Sequence, residues 1–273
     1  MKNQIIMLNT VTGGQMNSFI ITTDDGKVIV MDGGFNQDAD NLIDWLKKLT
    51  GQEVPHVDAW FFSHPHLDHI SAFVQIMETK PEALDVERVY YNFPSLQYLA
   101  AEEPNEITPV RFYKIMPTFA EKCVIISAGD VYDIGHAHIE VLCSPSPEYR
   151  HNVFNNASCV LMLTLGGKKT LFLGDAGREE GEKMLRMYAG TDKLKADYVQ
   201  MAHHGQNGVE KDFYEAVAPT GCLWCTPRWL WENNAGKGYN THIFKTIEVR
   251  GWMEELGIQE HYILMNGVQT LEL

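Results

Sequence analysis

The chain has 273 residues, of which 45% are hydrophobic and 21% are charged, and its formal net charge is −14. This composition is that of an ordinary globular protein, and no apolar run approaches the roughly 20 residues that cross a membrane. The acidic balance argues against long nucleic acids as ligands, because a phosphate backbone needs a positive face, and it favours a small-molecule substrate. The five cysteines are an odd, sparse set, and the N-terminal stretch has no signal-like core, so we expect a cytoplasmic protein without membrane contact. Composition leaves the oligomeric state open.

The first third of the chain predicts short strands and two helices. The strands QIIMLN, SFIITT and KVIVMDGG come first, and the turn Asp24-Asp25-Gly26 predicts a hairpin between the second and third. Apolar residues at helical spacing then predict a helix over Asp38–Leu49. The apolar strand VDAWFFS leads into a histidine-rich turn, which a second helix follows to about Thr79.

The remaining two thirds repeat this order of strands and then helices. After the strand ERVYYN, the pattern predicts a loop near Pro94–Pro109 and a helix near Val110–Lys122. The later strands are CVIIS, HIEVLCS, SCVLMLTLG, KTLFLGD, DYVQMAHH and GCLWCTP, and the later helices are Glu179–Ala189, Val209–Val217 and His242–Leu256. No linker or shift in composition divides the chain, so we predict one domain over residues 1–273. Its sheets should be covered by helices in a layered α/β sandwich.

The strongest motif is Ser63-His64-Pro65-His66-Leu67-Asp68-His69, at the end of a predicted strand. Its imidazoles and carboxylate are ligands for a metal that prefers nitrogen and oxygen. Pro65 favours an extended backbone before it, and residues i and i+2 of an extended chain face the same way. His64 and His66 can therefore bind one metal, while Asp68 and His69 can reach a second.

Three further strand ends carry chemistry. Asp175 follows the strand TLFL and a glycine, so its carboxylate can bridge two metals. His203 and His204 close the strand DYVQMA, where alternation places one of them on the core side and the other towards the sheet end. Asp32, which precedes two glycines, is a candidate to orient a ligand histidine.

The order of these motifs resembles that of the metallo-β-lactamase superfamily. Along the chain they are Asp-Gly-Gly, His-x-His-x-Asp-His, Leu-Gly-Asp and a strand that ends in His. Within the superfamily, the segments Asn155-Asn156-Ala157-Ser158 and His203-His204-Gly205 look like the hydrolase domain of ComEC-type DNA-uptake proteins. The resemblance implies a four-layer αββα sandwich with two metals at one edge of the sheets. It implies these ligands: His64 and His66 on the first metal, Asp68, His69 and His203 on the second, and Asp175 bridging.

The sequence departs from the superfamily at two points. Many members carry a further histidine before the strand that here reads SCVLML, where this chain has Asn155 and Asn156. The ComEC-like group shares that absence, so the first metal has either an open position or an unusual ligand, and His151 is a possible substitute. Gln206 also replaces the serine that usually follows His-His-Gly.

Other candidates have weaker signals. His242 stands where the group carries a site-facing histidine, so it either handles substrate and protons or caps the last helix. Tyr239 and the stretch Trp229–Lys237 form either a lid or a plain surface loop, and Asn155, Asn156, Ser158 and Tyr239 are candidates for substrate contact. Cys222 and Cys225 form a CxxC, but i and i+3 of a strand point to opposite faces, which favours free structural thiols over a zinc or redox site.

The expected function is metal-assisted hydrolysis. Two divalent metals activate a shared water, and Asp68 or His242 handles the proton. The ComEC-like features favour a small phosphoester or phosphodiester, whereas the same centre also supports cleavage of a carboxylic ester, thioester or lactone. A metal-binding protein without hydrolytic activity is the alternative from another class. Zinc is the expected metal, although iron, manganese and nickel accept the same ligands.

Overall fold

The fold is described from a computed structural model that covers residues 1–273. The strands are β1 (Gln4–Met7), β2 (Ser18–Thr22), β3 (Val28–Asp32), β4 (His56–Val57), β5 (Ala59–Phe61), β6 (Asp85–Val86), β7 (Val89–Tyr91), β8 (Cys123–Ile125), β9 (Val131–Ile134), β10 (Ala137–Cys143), β11 (Val160–Leu165), β12 (Lys168–Phe172), β13 (Tyr198–Gln200), β14 (Gly221–Trp224), β15 (Glu260–Ile263) and β16 (Gln269–Glu272). The helices are α1 (Ala39–Thr50), α2 (Leu67–Thr79), α3 (Leu96–Glu102), α4 (Thr108–Ile115), α5 (Val153–Asn156), α6 (Arg178–Met187), α7 (Lys211–Val217), α8 (Arg228–Trp231) and α9 (Thr246–Glu255).

Two seven-stranded sheets form the centre of the molecule. The first has the order β16-β1-β2-β3-β5-β7-β8, and the second has the order β15-β14-β13-β12-β11-β10-β9. Each sheet is antiparallel in one half and parallel in the other. The predicted hairpin is confirmed, since β2 and β3 pair antiparallel around the turn at Asp24-Asp25-Gly26.

Three hydrophobic clusters separate four layers. Alternate residues of β1, such as Ile5 and Ile6, point to opposite faces, so Ile5 joins the cluster between the sheets and Ile6 joins the cluster under the helices. Helices α1, α2 and α4 cover the outer face of the first sheet, and α6, α7 and α9 cover that of the second. This is the predicted αββα sandwich, and burial of its apolar surface is the main force that holds the layers together.

Several helix boundaries differ from those predicted. The helix expected near Val110–Lys122 ends at Ile115 and continues as two short 3-10 turns, the first of which contains Pro117. The last helix begins at Thr246 rather than near His242. The segment expected to be a loop near Pro94–Pro109 contains α3. No helix is both long enough and apolar enough to cross a membrane.

Candidate metal centre

The candidate centre lies where parallel strands of both sheets end. Asp32 is the last residue of β3, and Ser63 follows β5 in the same sheet. In the second sheet, Asp175 follows β12 and His203 follows β13. The carboxyl ends of parallel strands share one edge, where α/β folds place their ligands. The histidine-rich segment after Ser63 therefore faces Asp175 across the two sheets.

The first group of candidate ligands consists of His64, His66 and Asp175. One ligand atom of each lies within 4.8 Å of those of the other two. Nε2 of His64 is 2.9 Å from Nδ1 of His66 and 3.7 Å from Oδ2 of Asp175. His66 also stacks on the ring of Phe154 at a centroid distance of 4.7 Å. This packing holds the more exposed of the two imidazoles in place.

Neighbouring side chains fix which ring nitrogen carries the proton in this group. Nε2 of His66 lies 3.3 Å from Oε2 of Glu103 and donates to it, so Nδ1 keeps its lone pair. Nδ1 of His64 lies 3.1 Å from Oγ of Ser63, and that hydroxyl donates to Asp32. The proton of His64 is therefore on Nδ1. Nε2 of His64 and Nδ1 of His66 face each other at 2.9 Å, and both carry a lone pair instead of a proton. A cation between the two nitrogens would stabilise this arrangement.

The second group consists of Asp68, His69 and His204, whose ligand atoms also lie within 4.8 Å of one another. Nε2 of His204 is 3.2 Å from Oδ2 of Asp68. Nε2 of His69 is 3.2 Å from Oδ1 of Asp175, and Nε2 of His204 is 3.5 Å from its Oδ2. Asp175 therefore faces both groups, which is the position of a bridging carboxylate.

Asp32 orients His69, as expected from the strand-end motif. Its Oδ2 lies 2.8 Å from Nδ1 of His69 and accepts a second hydrogen bond from Asn17. The main chain and side chain of Ser63 also donate to this carboxylate. Burial alone would lower the pKa of His69, but Asp175 and Asp32 outweigh it and hold that pKa well above its ordinary value.

Sequence analysis assigned His203 to the second metal, whereas the structure brings His204 together with Asp68 and His69. Both histidines adopt left-handed backbone conformations, with φ values of 51° and 56°. Strand alternation therefore ends before this pair and does not decide which ring faces the site. His204 is fully buried beside Asp68, whereas the His203 side chain remains 15% exposed.

The charges of the two groups balance one another. Burial lowers the pKa of His64 well below its ordinary value, and the nearby His69 adds to this effect. Burial alone would lower the pKa of His204, but Asp175 and Asp68 outweigh it and raise that pKa to about 9. Burial would raise the pKa of Asp175, yet His204 and His69 hold it well below its usual range. Asp175 is therefore an anion available for metal binding.

The residues present fit two divalent metals. Several buried ligand atoms have no hydrogen-bond partner. They are Nε2 of His69, Oδ1 of Asp175 and both ring nitrogens of His204. Buried polar atoms without partners are costly, and metal ligands are one of the few reasons for a protein to keep them. The donor set of imidazoles and carboxylates suits zinc and iron equally.

The residues before β11 have different roles from one another. His151 is corrected as a candidate ligand, because its side chain is 85% exposed and Nδ1 pairs with Glu179 at 2.6 Å. Asn156 donates to the carbonyl of His151 and accepts from the amide of Glu180, so it holds the backbone rather than the centre.

Two other residues of this segment do touch the centre. The hydroxyl of Ser158 accepts from the amide of Asp175 at 3.1 Å and lies 3.5 Å from Nδ1 of His64. Asn155 is buried, and its Nδ2 lies 3.2 Å from Nε2 of His203.

The chain just after His242 reaches the neighbourhood of His203 through one residue, Asn207. Lys245 donates to the side chain of Asn207, the residue whose carbonyl also contacts His203. The ring of His242 stacks on Phe244 at 4.0 Å, and His242 precedes α9 by several residues, so it does not cap that helix. Tyr239 is 61% exposed. A cavity of about 650 Å³ beside Trp229 contains none of the predicted ligands.

The cysteines are free, as the strand argument predicts. The Sγ of Cys222 contacts Met253 in the cluster under the helices, whereas that of Cys225 contacts Met7 between the sheets. The two thiols therefore point to opposite faces and cannot bind one zinc.

Two residues near the centre, Glu103 and Gln15, were not identified from the sequence. Glu103 bonds to His66, and it follows a helix that the sequence pattern did not predict. Gln206 donates to Gln15, which in turn donates to Oδ2 of Asp68 at 3.2 Å. The glutamine that departs from the family pattern thus connects to a candidate ligand through one neighbour.

Comparison with known proteins identifies the family. The sequence profile of the "Metallo-beta-lactamase superfamily" matches residues 11–203. The chain belongs to the metallo-β-lactamase superfamily. Members of this superfamily are dinuclear metal hydrolases or related enzymes, and a search of curated proteins found no match.

Solved structures share the metallo-β-lactamase fold with this chain at low sequence identity. YhfI from Bacillus subtilis, a metallo-β-lactamase fold protein, is 12% identical with a TM-score of 0.59, over 98% of this chain and 100% of its own. CmlA from Streptomyces venezuelae, a diiron β-hydroxylase, is 12% identical with a TM-score of 0.61, and the match covers 100% of this chain but 54% of CmlA. Yeast PDE1 is 13% identical with a TM-score of 0.56, over 100% of both chains. At these identities the likeness establishes the fold alone.

Proposed function

We propose that this chain is a hydrolase that uses two divalent metal ions, with zinc as the metal, to cleave a small phosphoester or phosphodiester. The observation that carries the proposal is the position of Asp175 between two groups of buried ligands. A carboxylate shared in this way favours two metals a few ångströms apart, and such pairs can steady both the attacking and the leaving oxygen of a displacement.

The protein residues supply the arrangement that this reaction needs. Bound metals would lower the pKa of a shared water and polarise the oxygen of the bond to be cut. His64 and His66 would hold one ion, and Asp68, His69 and His204 the other. Asp68 and His242 are the proposed groups for proton transfer, because Asp68 lies at the centre and the chain just after His242 contacts Asn207 beside His203.

Two features support a phosphoester as the substrate. The segments that contain Asn155 and His203 resemble ComEC-type hydrolase domains. In addition, two divalent ions would place at least four positive charges in a pocket of an otherwise acidic protein. These charges attract a single phosphate group, whereas the net charge of −14 repels a long polyanion beyond the pocket.

A panel of model substrates tests the proposal. Zinc-loaded protein should cleave a chromogenic bis-phosphodiester faster than a phosphomonoester, thioester or lactone under matched conditions, and it should act little on long DNA. Asp175→Asn should abolish turnover by weakening both metal groups. If lactones or thioesters are cleaved tenfold faster, a difference of about 1.4 kcal/mol in barrier, the substrate is a carboxylic derivative and the phosphoester assignment fails.

A variant of His242 separates its proposed role from metal binding. His242→Ala should lower turnover of the bis-phosphodiester and leave metal content unchanged, because the residue belongs to neither ligand group. Ile243→Ala is a matched control, because the neighbouring Ile243 is 87% exposed. Unchanged turnover in His242→Ala would remove this residue from the proposed proton transfer.

A further inference from the structure

The two ligand groups are unequal. The second contains two histidines and an aspartate of its own, but the first has only His64 and His66 beside the shared Asp175. Sequence analysis left the missing ligand open between a solvent position and His151, and His151 points away from the centre to Glu179. The first metal therefore has either a solvent position or a ligand from another residue near the shared carboxylate.

His203 lies at the right distance from that carboxylate. Its Nε2 is 3.8 Å from Oδ2 of Asp175, and Nε2 of His64 is 3.7 Å from the same oxygen. Two ligands of one zinc are roughly 3.3 Å apart when each bond is 2.0–2.2 Å long and the geometry is tetrahedral. His203 is thus about as close to the shared oxygen as the ligands of either group are, since Nε2 of His204 lies 3.5 Å from it.

The hydrogen bonds of His203 leave the correct nitrogen free. Its Nδ1 lies 3.2 Å from the carbonyl oxygen of Asn207. A carbonyl only accepts, so Nδ1 carries the proton and Nε2 keeps a lone pair towards the centre. Ligand histidines in proteins are usually held through their other nitrogen in this way. In this structure the lone pair of Nε2 accepts from Nδ2 of Asn155 at 3.2 Å, a hydrogen bond that a metal on Nε2 would replace.

Backbone geometry separates His203 from its neighbour. Both residues adopt the left-handed conformation, and their ring centroids are 6.2 Å apart. His204 already belongs with Asp68 and His69. We propose that His203 is the third protein ligand of the first metal, so that the adjacent histidines of one turn bind different metals. This inference rests on the dinuclear centre of the proposed function.

Asn155 is the rival for this role. Its Oδ1 is buried and has no partner, which also marks it as facing something polar. An amide oxygen is a weaker ligand for zinc than a neutral imidazole, because zinc prefers nitrogen, sulfur and carboxylate. The side-chain oxygen of Asn155 is better suited to accept a hydrogen bond from a bound water. Its Nδ2 contacts the ring of His203.

Two variants, each of which keeps only one of the two metal sites, show which metal His203 binds. His69→Ala leaves only the first site intact, and His66→Ala leaves only the second. Addition of His203→Gly should weaken zinc binding by at least about tenfold in the His69→Ala background and by less than about twofold in the His66→Ala background. Zinc affinity is measured by chelator competition, and visible absorption of the cobalt(II)-loaded proteins reports the coordination of the remaining ion. Glycine suits this position because φ is positive.

Controls connect any loss to the imidazole itself. Added imidazole should restore zinc binding in the His203→Gly variant, which a misfolded protein would not allow. His151→Ala should bind zinc as the parent does, since its side chain is exposed. Far-UV circular dichroism of each metal-free variant should match that of the parent protein.

Three outcomes would overturn the inference. If His203→Gly weakens zinc binding only in the His66→Ala background, His203 is a ligand of the second metal. Unchanged binding with His203→Gly, together with a loss in Asn155→Ala, would assign the role to Asn155. Two metals in the wild-type protein and no effect of His203→Gly would overturn this inference alone, whereas a wild-type protein that binds no metal would overturn the proposed function as well.

Discussion

The carboxylate of Asp32 accepts a hydrogen bond from His69, with 2.8 Å between Oδ2 and Nδ1. Asp32 ends a strand of the first sheet, and its left-handed conformation, with φ of 58°, turns the chain there. The same carboxylate accepts from Asn17 and Ser63, so it is held from three sides. The bond fixes the proton of His69 on Nδ1 and leaves Nε2 directed at Asp175.

Asp32→Asn should therefore weaken metal binding without removing a ligand. The amide would present N–H groups to donors and could not satisfy His69, Asn17 and Ser63 together. Loss of such a partner typically costs 10–100-fold in metal affinity, so we expect about that decrease for the second metal. Zinc competition in the His66→Ala background measures it. Affinity within twofold of the parent would show that Asp32 does not orient His69.

Glu103 should orient His66 by a hydrogen bond, as Asp32 orients His69, but with a smaller effect on metal affinity. Its carboxylate lies 3.3 Å from Nε2 of His66, and this hydrogen bond holds the pKa of Glu103 below its ordinary value. The side chain is 41% exposed, so water can partly replace it. Glu103→Gln should lower first-site zinc affinity by roughly threefold to tenfold, and Glu102→Gln, one residue earlier, is the control. Equal affinities in the two variants would contradict the role of Glu103.

The buried Glu180 predicts an unusual dependence of stability on pH. Neither carboxyl oxygen has a hydrogen-bond partner, and burial holds its pKa well above the model-compound value of 4.5. The folded protein therefore keeps a proton that the unfolded chain loses above pH 4.5. Unfolding releases that proton, so the free energy of unfolding falls as pH rises from the unfolded pKa towards the folded one.

Glu180→Gln removes this dependence. It should raise the free energy of unfolding at pH 8, by about 1.4 kcal/mol for each unit by which burial raises the pKa of Glu180. At pH 4.5 the gain should be close to zero. Urea unfolding of wild type and variant at both values measures the difference, with Glu182→Gln on the exposed face of the same helix as control. A gain of equal size at both values would refute the linkage.

The thiols of Cys222 and Cys225 should be unreactive in the folded protein. Both side chains are fully buried, and burial raises their pKa values. A thiol reagent should label neither residue under native conditions and should label both after denaturation without reductant. A disulfide between them, or zinc released by thiol modification alone, would contradict the opposite orientation of the two side chains.

The sequence pattern predicts a layered α/β sandwich, and the resemblance to the metallo-β-lactamase superfamily predicts its four layers. The apolar run in KVIVMDGG predicts a strand that ends in Asp-Gly-Gly, and β3 ends at Asp32 with every residue buried. The spacing of His64, His66, Asp68 and His69 predicts two pairs of ligands, and the structure places the pairs in different groups. These results follow from local periodicity, which the fold preserves.

Two features depended on conformations that periodicity does not encode. Alternation could not decide between His203 and His204, because both residues leave the strand in left-handed conformations. Glu103 was missed because α3 lies in a segment that was predicted to be a loop. Ser95, whose hydroxyl accepts from the amide of Tyr98, is the helix cap that could have revealed it.

The metal content of the protein tests the central claim most directly. Protein that has been saturated with zinc and then desalted should retain about two ions per chain, as expected for a two-metal hydrolase site, when measured by inductively coupled plasma mass spectrometry. Asp175→Asn, which alters the only carboxylate that faces both ligand groups, should retain fewer than about one. Wild-type protein that retains no zinc, iron, manganese or nickel after saturation would contradict the account.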